Sequence, residues 1–497
     1  MAANVVGKPP YITVIGLEVH VQLATVSKLF CRCSTAFGAE PNTQTCPVCI
    51  GMPGTMPVMN RKAFELSLKT AAALNCRIAT HTKWDRKNYY YPDLPKGYQI
   101  SQYDLPFAAG GYLDASDPKG RFPTRRVRLI RIHLEEDAGK SMHDERHGTS
   151  DSRIDLNRTG TPLMEIVTEP DLRSPEEAKA WLTELKLLLT YLGVSDCNMQ
   201  EGSLRVDANV NLHVETPAGL VPTPIVEVKN MNSFRAVERA LEYEAPRQYE
   251  QWQATGKKLG EASKQTWGWD DTRGVTYPQR SKEESSDYRY FPEPDLVPVT
   301  VSEEQIAAIR AGLGELPADL RLRLEKTWGI TPYDSDVLVS QGEPLVDYYL
   351  AAATQCGDGK LVSNWVQQDV LRTLNERGGT IADFPVGPAA LADLLTRIKQ
   401  GQLDTSRARE VFQRILTDGT TVSAAVEVLG IKQVDQSELI ALCRELLAAN
   451  PKIVADIRSG NEKAAGALVG QARKRNPNAN PKRVQKLCIE LVRASSE

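Results

Sequence analysis

ITVIGLEVHVQL, residues 12–23, is the stretch on which the reading of the first part of the chain turns. Side chains on a strand alternate between two faces, so Val19 and Val21 go to the core while Glu18, His20 and Gln22 share the opposite face. RLIRIHLEED, residues 128–137, repeats that spacing with Arg131, His133 and Glu135. PLMEIV (162–167) carries one isolated acid, Glu165, and Asp207 and Glu227 interrupt two further strand-like runs, LRVDANVNL (204–212) and PIVEVKN (224–230). An ion taken out of water is costly unless something compensates it, and these five carboxylates, if they converge, sum to −5. Oxygen ligands with one or two imidazoles suit Mg²⁺ or Mn²⁺, which hold nucleotide phosphates, so one reading is a divalent-metal phosphoryl-transfer site. The other has each acid ending its strand at the surface or pairing with an arginine such as Arg126, Arg128 or Arg131.

Around these strands the pattern is α+β. Strands are expected at Tyr11–Leu23, Arg125–Leu134, Pro162–Val167, Leu204–Val214 and Ile225–Val228, separated by glycine, proline and asparagine loops. One helix is announced by Ser174 as N-cap, Pro175 at the first helical position and Glu177 completing a capping box, and is stopped by Gly193. A second begins after Asn232-Ser233. Beyond the proline-studded segment 291–299 the periodicity is helical. The expected division is therefore 1–299 for the α+β part, 300–405 for an all-α domain and 406–497 for a small helical tail.

The chain has 497 residues, a net charge of −3 and 41% hydrophobic residues, enough for several domains and too apolar for a disordered chain. Its most apolar helical run, Trp181–Leu192, is broken by Glu184 and Lys186, so no membrane span is expected. The N-terminus lacks the pattern of a secretory or transit segment, and the expected location is the cytoplasm. DAGKS (137–141) ends like a phosphate loop, but the glycine that motif needs at 134 is Leu134. G-x-G-x-x-G, G-x-S-x-G and H-E-x-x-H are absent, which leaves the familiar dinucleotide, serine-hydrolase and zincin chemistries without support.

Nine cysteines, an odd number, fit a reducing compartment. Cys31, Cys33, Cys46 and Cys49 fall close together as C-x-C and C-x-x-C and can supply four thiolates to a structural Zn²⁺, or be four reduced thiols in a loop. The loop KWDRKNYYYPDLPKGYQISQYDLP, 83–106, mixes basic, tyrosine and amide groups suited to phosphates and a sugar or base, with Lys96, Tyr98, Ser101 and Gln102 as candidates for binding the nucleotide. The segment 280–296 is similar in kind. Residues 461–497 carry a local charge of +5, in which Arg473, Lys474, Arg475, Lys482 and Arg483 form either a phosphate-binding patch or a solvated helix face.

GLEVHVQL, CPVCIGMPG, DRKNYYYPDLPKGYQISQYDLP, HLEEDAGKS, DLNRTGTPLMEIVTEPDLRS, EGSLRVDANV, VEVKNMNSFRAVERALEYE and DYRYFPEPDL, in this order, resemble the B subunits of tRNA-dependent amidotransferases, the GatB family. GALVGQ and NPKRV resemble that family's C-terminal domain, so the resemblance covers nearly the whole chain. It implies a catalytic cradle similar to glutamine synthetase, followed by the helical and tail domains that grip tRNA. It also implies an ATP-dependent ligase: the side-chain carboxylate of Glu-tRNA(Gln) or Asp-tRNA(Asn) is phosphorylated and then amidated with ammonia. The ammonia is made from glutamine by the family's A subunit, the glutaminase, in a heterotrimer completed by a small C subunit. The family's Mg²⁺ ligands (Mn²⁺ possible) carry over to Glu18, His20, Glu135, Glu165, Asp207 and Glu227, the first four being catalytic, and its zinc ligands to Cys31, Cys33, Cys46 and Cys49. Two rival readings are a non-catalytic tRNA-binding scaffold and a free-standing ligase that uses no tRNA.

Overall fold

The computed structural model describes residues 10–143, 152–279, 288–431, 435–476 and 478–494; residues 280–287 of the second tyrosine-bearing segment lie outside them. The chain divides into two compact units, 1–320 and 321–497.

A large sheet organises the first unit. Its long strands are β1 (Tyr11–Gln22), β4 (Arg125–Glu136), β5 (Pro162–Thr168) and β6 (Leu204–Thr216), joined by β7 (Val226–Lys229), β8 (Gln265–Asp270) and β9 (Val275–Pro278). The order is β9-β8-β7-β6-β1-β5-β4, continuing through the two-residue strands Ala108–Ala109 and Arg77–Ile78. These pairings are antiparallel except that between β7 and β8. Two shorter strands, β2 (Asp85–Asn88) and β3 (Tyr98–Ser101), pair with each other beside it. Alternation works as the sequence demands: Leu17, Val19 and Val21 are 1% exposed or less, and Glu18, His20 and Gln22 are half-buried on the other face.

The apolar face is covered by α2 (Arg61–Ala73), α3 (Pro175–Tyr191) and α4 (Phe234–Thr255), which follow a one-turn helix α1 (Pro47–Ile50). Ser174 caps α3 by accepting from the Glu177 amide at 3.2 Å. The Glu177 carboxylate departs from the expected box: it takes the amide of Arg173 at 2.7 Å and the Arg125 guanidinium at 3.2 Å, stapling α3 to the start of β4. Ser233 caps α4 through the Ala236 amide. The first helix after the proline-rich segment, α5 (Glu303–Ala311), sits in this unit, with Ile306 in its core and Arg310 donating to the Cys76 carbonyl at 3.2 Å.

Among its described residues the only regular structure of the second unit is helical, from Arg321 to the tail helices Gln436–Ala449, Gly466–Arg475 and Pro481–Ala494. The tail helices close around Leu439, Cys443, Leu446, Leu468, Val484 and Cys488. Cys76, Cys197, Cys356, Cys443 and Cys488 are all buried and act as core filler.

Glu244 of α4 is fully buried, held by Arg247 through both guanidinium arms, by Thr276 at 2.8 Å and by Gln248 at 3.0 Å; Arg247 lies 3.7 Å over the Trp267 ring. Removing one partner of such a pair strands a charge. Arg247→Met should destabilise the unit by about 3–5 kcal/mol in urea unfolding, with much of the loss recovered in the Glu244→Gln, Arg247→Met double variant. Additive losses would show that the two groups do not act as a pair.

Candidate active site and cysteine site

Strand register brings the polar residues together. His20 on β1 stands opposite Glu165 on β5 and Arg205 on β6, and Glu165 stands opposite His133 on β4, two residues before Glu135. His20 Nε2 lies 3.4 Å from Glu165 and 3.8 Å from Glu135, and His133 Nε2 lies 3.3 Å and 3.6 Å from the same two carboxylates. His20, Glu135 and Glu165 each offer one ligand atom within 4.8 Å of the others. Two carboxylate oxygens and an imidazole nitrogen suit a hard divalent cation with positions left for water or phosphate.

Glu18, Asp207 and Glu227 share the face but do not join that triad among the described residues. Glu18 stands opposite Asp207 and accepts from Asn209 at 2.8 Å. Lys229 lies 2.6 Å from Asp207 and 3.6 Å from Glu227, which also takes Lys264 at 2.9 Å and Thr266 at 3.2 Å. Lysines thus already neutralise part of this second group of acids. Arg126 and Arg128 do not serve the face, because they pair with Asp114 and Asp171; Arg131 comes within 3.8 Å of Glu165.

For His20, Glu135, Glu165 and Lys87 burial opposes charge, and the neighbours overrule it. Burial lowers the His20 pKa, but the Glu165 and Glu135 carboxylates hold it above the ordinary value. Burial raises the Glu135 and Glu165 pKa values, but contact with His133 for the first, and His133 with His20 for the second, holds both below the carboxylate range. Lys87 of β2 faces the same acids, and against its burial Glu135, Tyr290 and Glu165 keep its pKa raised. Its Nζ lies 5.0 Å from the Tyr288 ring centroid, and Tyr290 stacks on Tyr103 at 4.0 Å. Lys87 is the site residue that sequence reasoning misses, whereas His133 is placed on the polar face by its spacing but is not among the expected ligands. The alternation in RLIRIHLEED carries the signal for His133; Lys87 has none beyond its place in a basic loop.

The nucleotide candidates separate. Lys96 and Tyr98 line a cavity of about 190 Å³ next to Cys31 and Cys49, with Lys96 ion-paired to the buried Glu136. Ser101 does not line it and instead donates to Glu135 at 3.2 Å. Gln102 is 2% exposed and spends its amide on Thr82 at 2.8 Å and the Leu134 amide at 3.1 Å, so its side chain is committed to the fold.

The four cysteines do meet. Cys31 and Cys33 lie in a turn closed by the Ser27–Ser34 bridge, Cys46 is the N-cap of α1 and Cys49 lies within it, with Pro47 at its first position. Gly51 ends α1 at φ 74°, and a Cβ there would sit 2.3 Å from Lys96 Cγ, so only glycine serves. The sulfurs lie within 4.8 Å of one another, close to the ~3.8 Å edge of a tetrahedron with Zn–S bonds of ~2.3 Å. The Cys31 thiol donates to Cys49 and, against burial, this bond, the Cys46 amide and the Lys28 ammonium hold the Cys49 pKa down at about 4.

In the tail, Arg473 lies 3.8 Å from Asp404 and Arg475 lies 3.1 Å from Glu445. Lys482 and Arg483 occupy the first turn of Pro481–Ala494, where their amides are capped by Asn480. Two cations at a helix N-terminus oppose the macrodipole, so these charges are not there for helix stability.

Residues 13–307 match the GatB/GatE catalytic domain family and residues 347–492 the GatB domain. The chain belongs to the GatB family. It is 57% identical to the aspartyl/glutamyl-tRNA(Asn/Gln) amidotransferase B subunit of Rhodopirellula baltica over 98% of this chain and 97% of that one. The protein of the same name from Moorella thermoacetica is 50% identical, over 97% of this chain and all of its own length. No helix among the described residues is long and apolar enough to cross a membrane.

Asp137, two residues beyond Glu135, accepts from Gln22 at 2.8 Å and pairs with Arg205 at 2.8 Å and Arg158 at 3.7 Å. Burial raises its pKa, and Arg205 and Arg158 outweigh it. A carboxylate with a depressed folded pKa stabilises above its unfolded value of ~3.9 and loses that contribution as pH falls toward the folded one. The stability advantage of wild type over Asp137→Asn, measured by urea unfolding, should be flat above about pH 5 and shrink below about pH 4. An advantage independent of pH would show that the Asp137 charge contributes nothing.

Proposed function

We propose that this chain is the subunit that activates and amidates the aminoacyl group in a tRNA-dependent amidotransferase. It works with a glutaminase, the A subunit, and a small C subunit on Glu-tRNA(Gln), Asp-tRNA(Asn) or both. The observation that carries this reading is the triad His20, Glu135 and Glu165 on three adjacent strands of one polar sheet face. The names of the relatives point the same way.

A carboxylate is a poor electrophile, so amidation requires one of its oxygens to become part of a leaving group. The γ-phosphoryl group of ATP passes to the side-chain carboxylate of the tRNA-bound amino acid, giving an acyl phosphate and ADP. Ammonia then attacks the carbonyl carbon, phosphate leaves with the former carboxylate oxygen, and the nitrogen loses a proton. Mg²⁺ or Mn²⁺ held by His20, Glu135 and Glu165 would supply charge neutralisation on the phosphates. Lys87 and Arg131 beside those acids, and Arg205 opposite His20, supply fixed positive charge where the triphosphate meets the carboxylate. Glu18, Asp207 and Glu227, with Lys229 between the last two, are the further ligands of this face. Lys96 and Tyr98 are assigned to nucleotide binding. The cysteines hold a structural zinc, and Arg473, Lys474, Arg475, Lys482 and Arg483 hold tRNA phosphates.

The test is ATP- and Mg²⁺-dependent amidation of Glu-tRNA(Gln), with ammonium chloride as nitrogen donor, by the assembled complex. Glu135→Gln should lower the rate by at least about 100-fold and leave tRNA affinity within about two-fold. Replacing Lys474, Lys482 and Arg483 with alanine should weaken tRNA binding and flatten its salt dependence by up to about one unit per lost phosphate contact. Full activity in the Glu135 variant would return the chain to the role of a scaffold, and an unchanged salt slope would remove the tail from the interface.

A further inference from the structure

Lys28 is a lysine with no access to water: its side chain is fully buried in the first unit. Its three N–H donors are all used, on the Gln44 carbonyl at 2.7 Å, the Leu156 carbonyl at 3.4 Å and the Cys49 sulfur at 3.6 Å. Among the described residues no carboxylate lies within ion-pair distance of it. A buried ammonium needs an anion, and the anion in contact with it is sulfur. Four thiolates around Zn²⁺ carry a net charge of −2, which Lys28 would reduce to −1 at the sulfur it touches.

The same side chain also spans two parts of the fold. The cysteine loop is laced to residues 154–160: Asn42 donates to the Ile154 carbonyl at 3.0 Å and accepts from the Leu156 amide at 2.8 Å, and the Gln44 amide donates to Asn157 at 2.8 Å. Leu29 donates to the Gly160 carbonyl at 2.8 Å. From there the chain reaches the active face directly. The Gly160 amide donates to the Asp137 carbonyl at 2.8 Å, and Arg158 bonds the Ala138 carbonyl at 2.9 Å while facing Asp137. Asp137 lies two residues beyond Glu135.

We propose that Lys28 is the positioning residue of the cysteine site: its ammonium donates to the metal-bound Cys49 thiolate and, through the Leu156 carbonyl, ties the metal loop to the segment bordering the carboxylate face. This rests on the reading of the cysteines as a zinc site. Outer donors of this kind are worth roughly 10–100-fold in metal affinity, and an N–H donor to sulfur lowers the energy of the sulfur electrons.

The experiment uses the full-length chain as wild type, Lys28→Arg and Lys28→Met. Zinc content comes from mass spectrometry, release from transfer to a colorimetric chelator, and the electronic state of sulfur from the thiolate-to-metal absorption band of the Co²⁺-substituted proteins. Lys28→Met should release zinc roughly 10-fold faster or more and move the Co²⁺ band to lower energy, with Lys28→Arg restoring most of both. A folded Lys28→Met with unchanged release and an unchanged band overturns the proposal, because a lysine that only satisfied carbonyls would leave the sulfur spectrum alone. Wild type purified without zinc and unable to take it up defeats the zinc reading itself, a distinct outcome. Should Lys28→Met not fold, wild type decides by hydrogen exchange: removing zinc should speed exchange across 154–161, and unaltered exchange there contradicts the coupling.

Discussion

The first unit depends on one electrostatic constraint, the placing of like charges side by side on a sheet. Glu135 and Glu165 share a pair of imidazoles at 3.3–3.8 Å, and either carboxylate alone on that face would be driven toward its neutral form by burial. The strands resolve this by interleaving. His20 lies opposite Glu165, His133 lies opposite Glu165 on its other side, and Lys87 approaches from a neighbouring strand pair. The apolar side of the same strands, from Leu17 to Val21, pins the register, because a slip of one residue would turn the carboxylates into the core. Core packing and site geometry are thus two faces of one alternation.

The same rule organises the rest of the unit. Glu244 is buried against Arg247, Asp137 against Arg205 and Gln22, and Lys28 against a cysteine sulfur. Each buried charge ties elements far apart in sequence. Glu244 joins α4 to β9, Asp137 joins the end of β4 to β1 and β6, and Lys28 joins the cysteine loop to the segment before β5. Charge compensation, rather than extra apolar area, does the joining at these points.

Much of this is legible in the amino-acid sequence, because strand alternation and helix caps are local. The shared face of Glu18, His20 and Gln22, the cap at Ser174 and the C-x-C and C-x-x-C spacing all follow from residues within a few positions of one another. Lateral register is not legible in that way. Nothing in PLMEIV says that Glu165 stands opposite His20, or that Asp207 stands opposite Glu18 with Lys229 already beside it. Gln102 resembles a surface amide in its loop, and only the tertiary structure reveals that Thr82 and Leu134 consume it. Glu177 has the spacing to close a box on Ser174, but Arg125 and the Arg173 amide draw it away.

If His20, Glu135 and Glu165 together hold the divalent cation of a nucleotide site, the ligand atoms are visible to pulsed electron paramagnetic resonance on the full chain with Mn²⁺ and ATP. One Mn²⁺ should couple both to phosphorus and to an imidazole nitrogen, with the nitrogen coupling lost in His20→Ala. Mn²⁺ bound with phosphorus coupling but no histidine nitrogen, in wild type as in the variant, would contradict the metal triad.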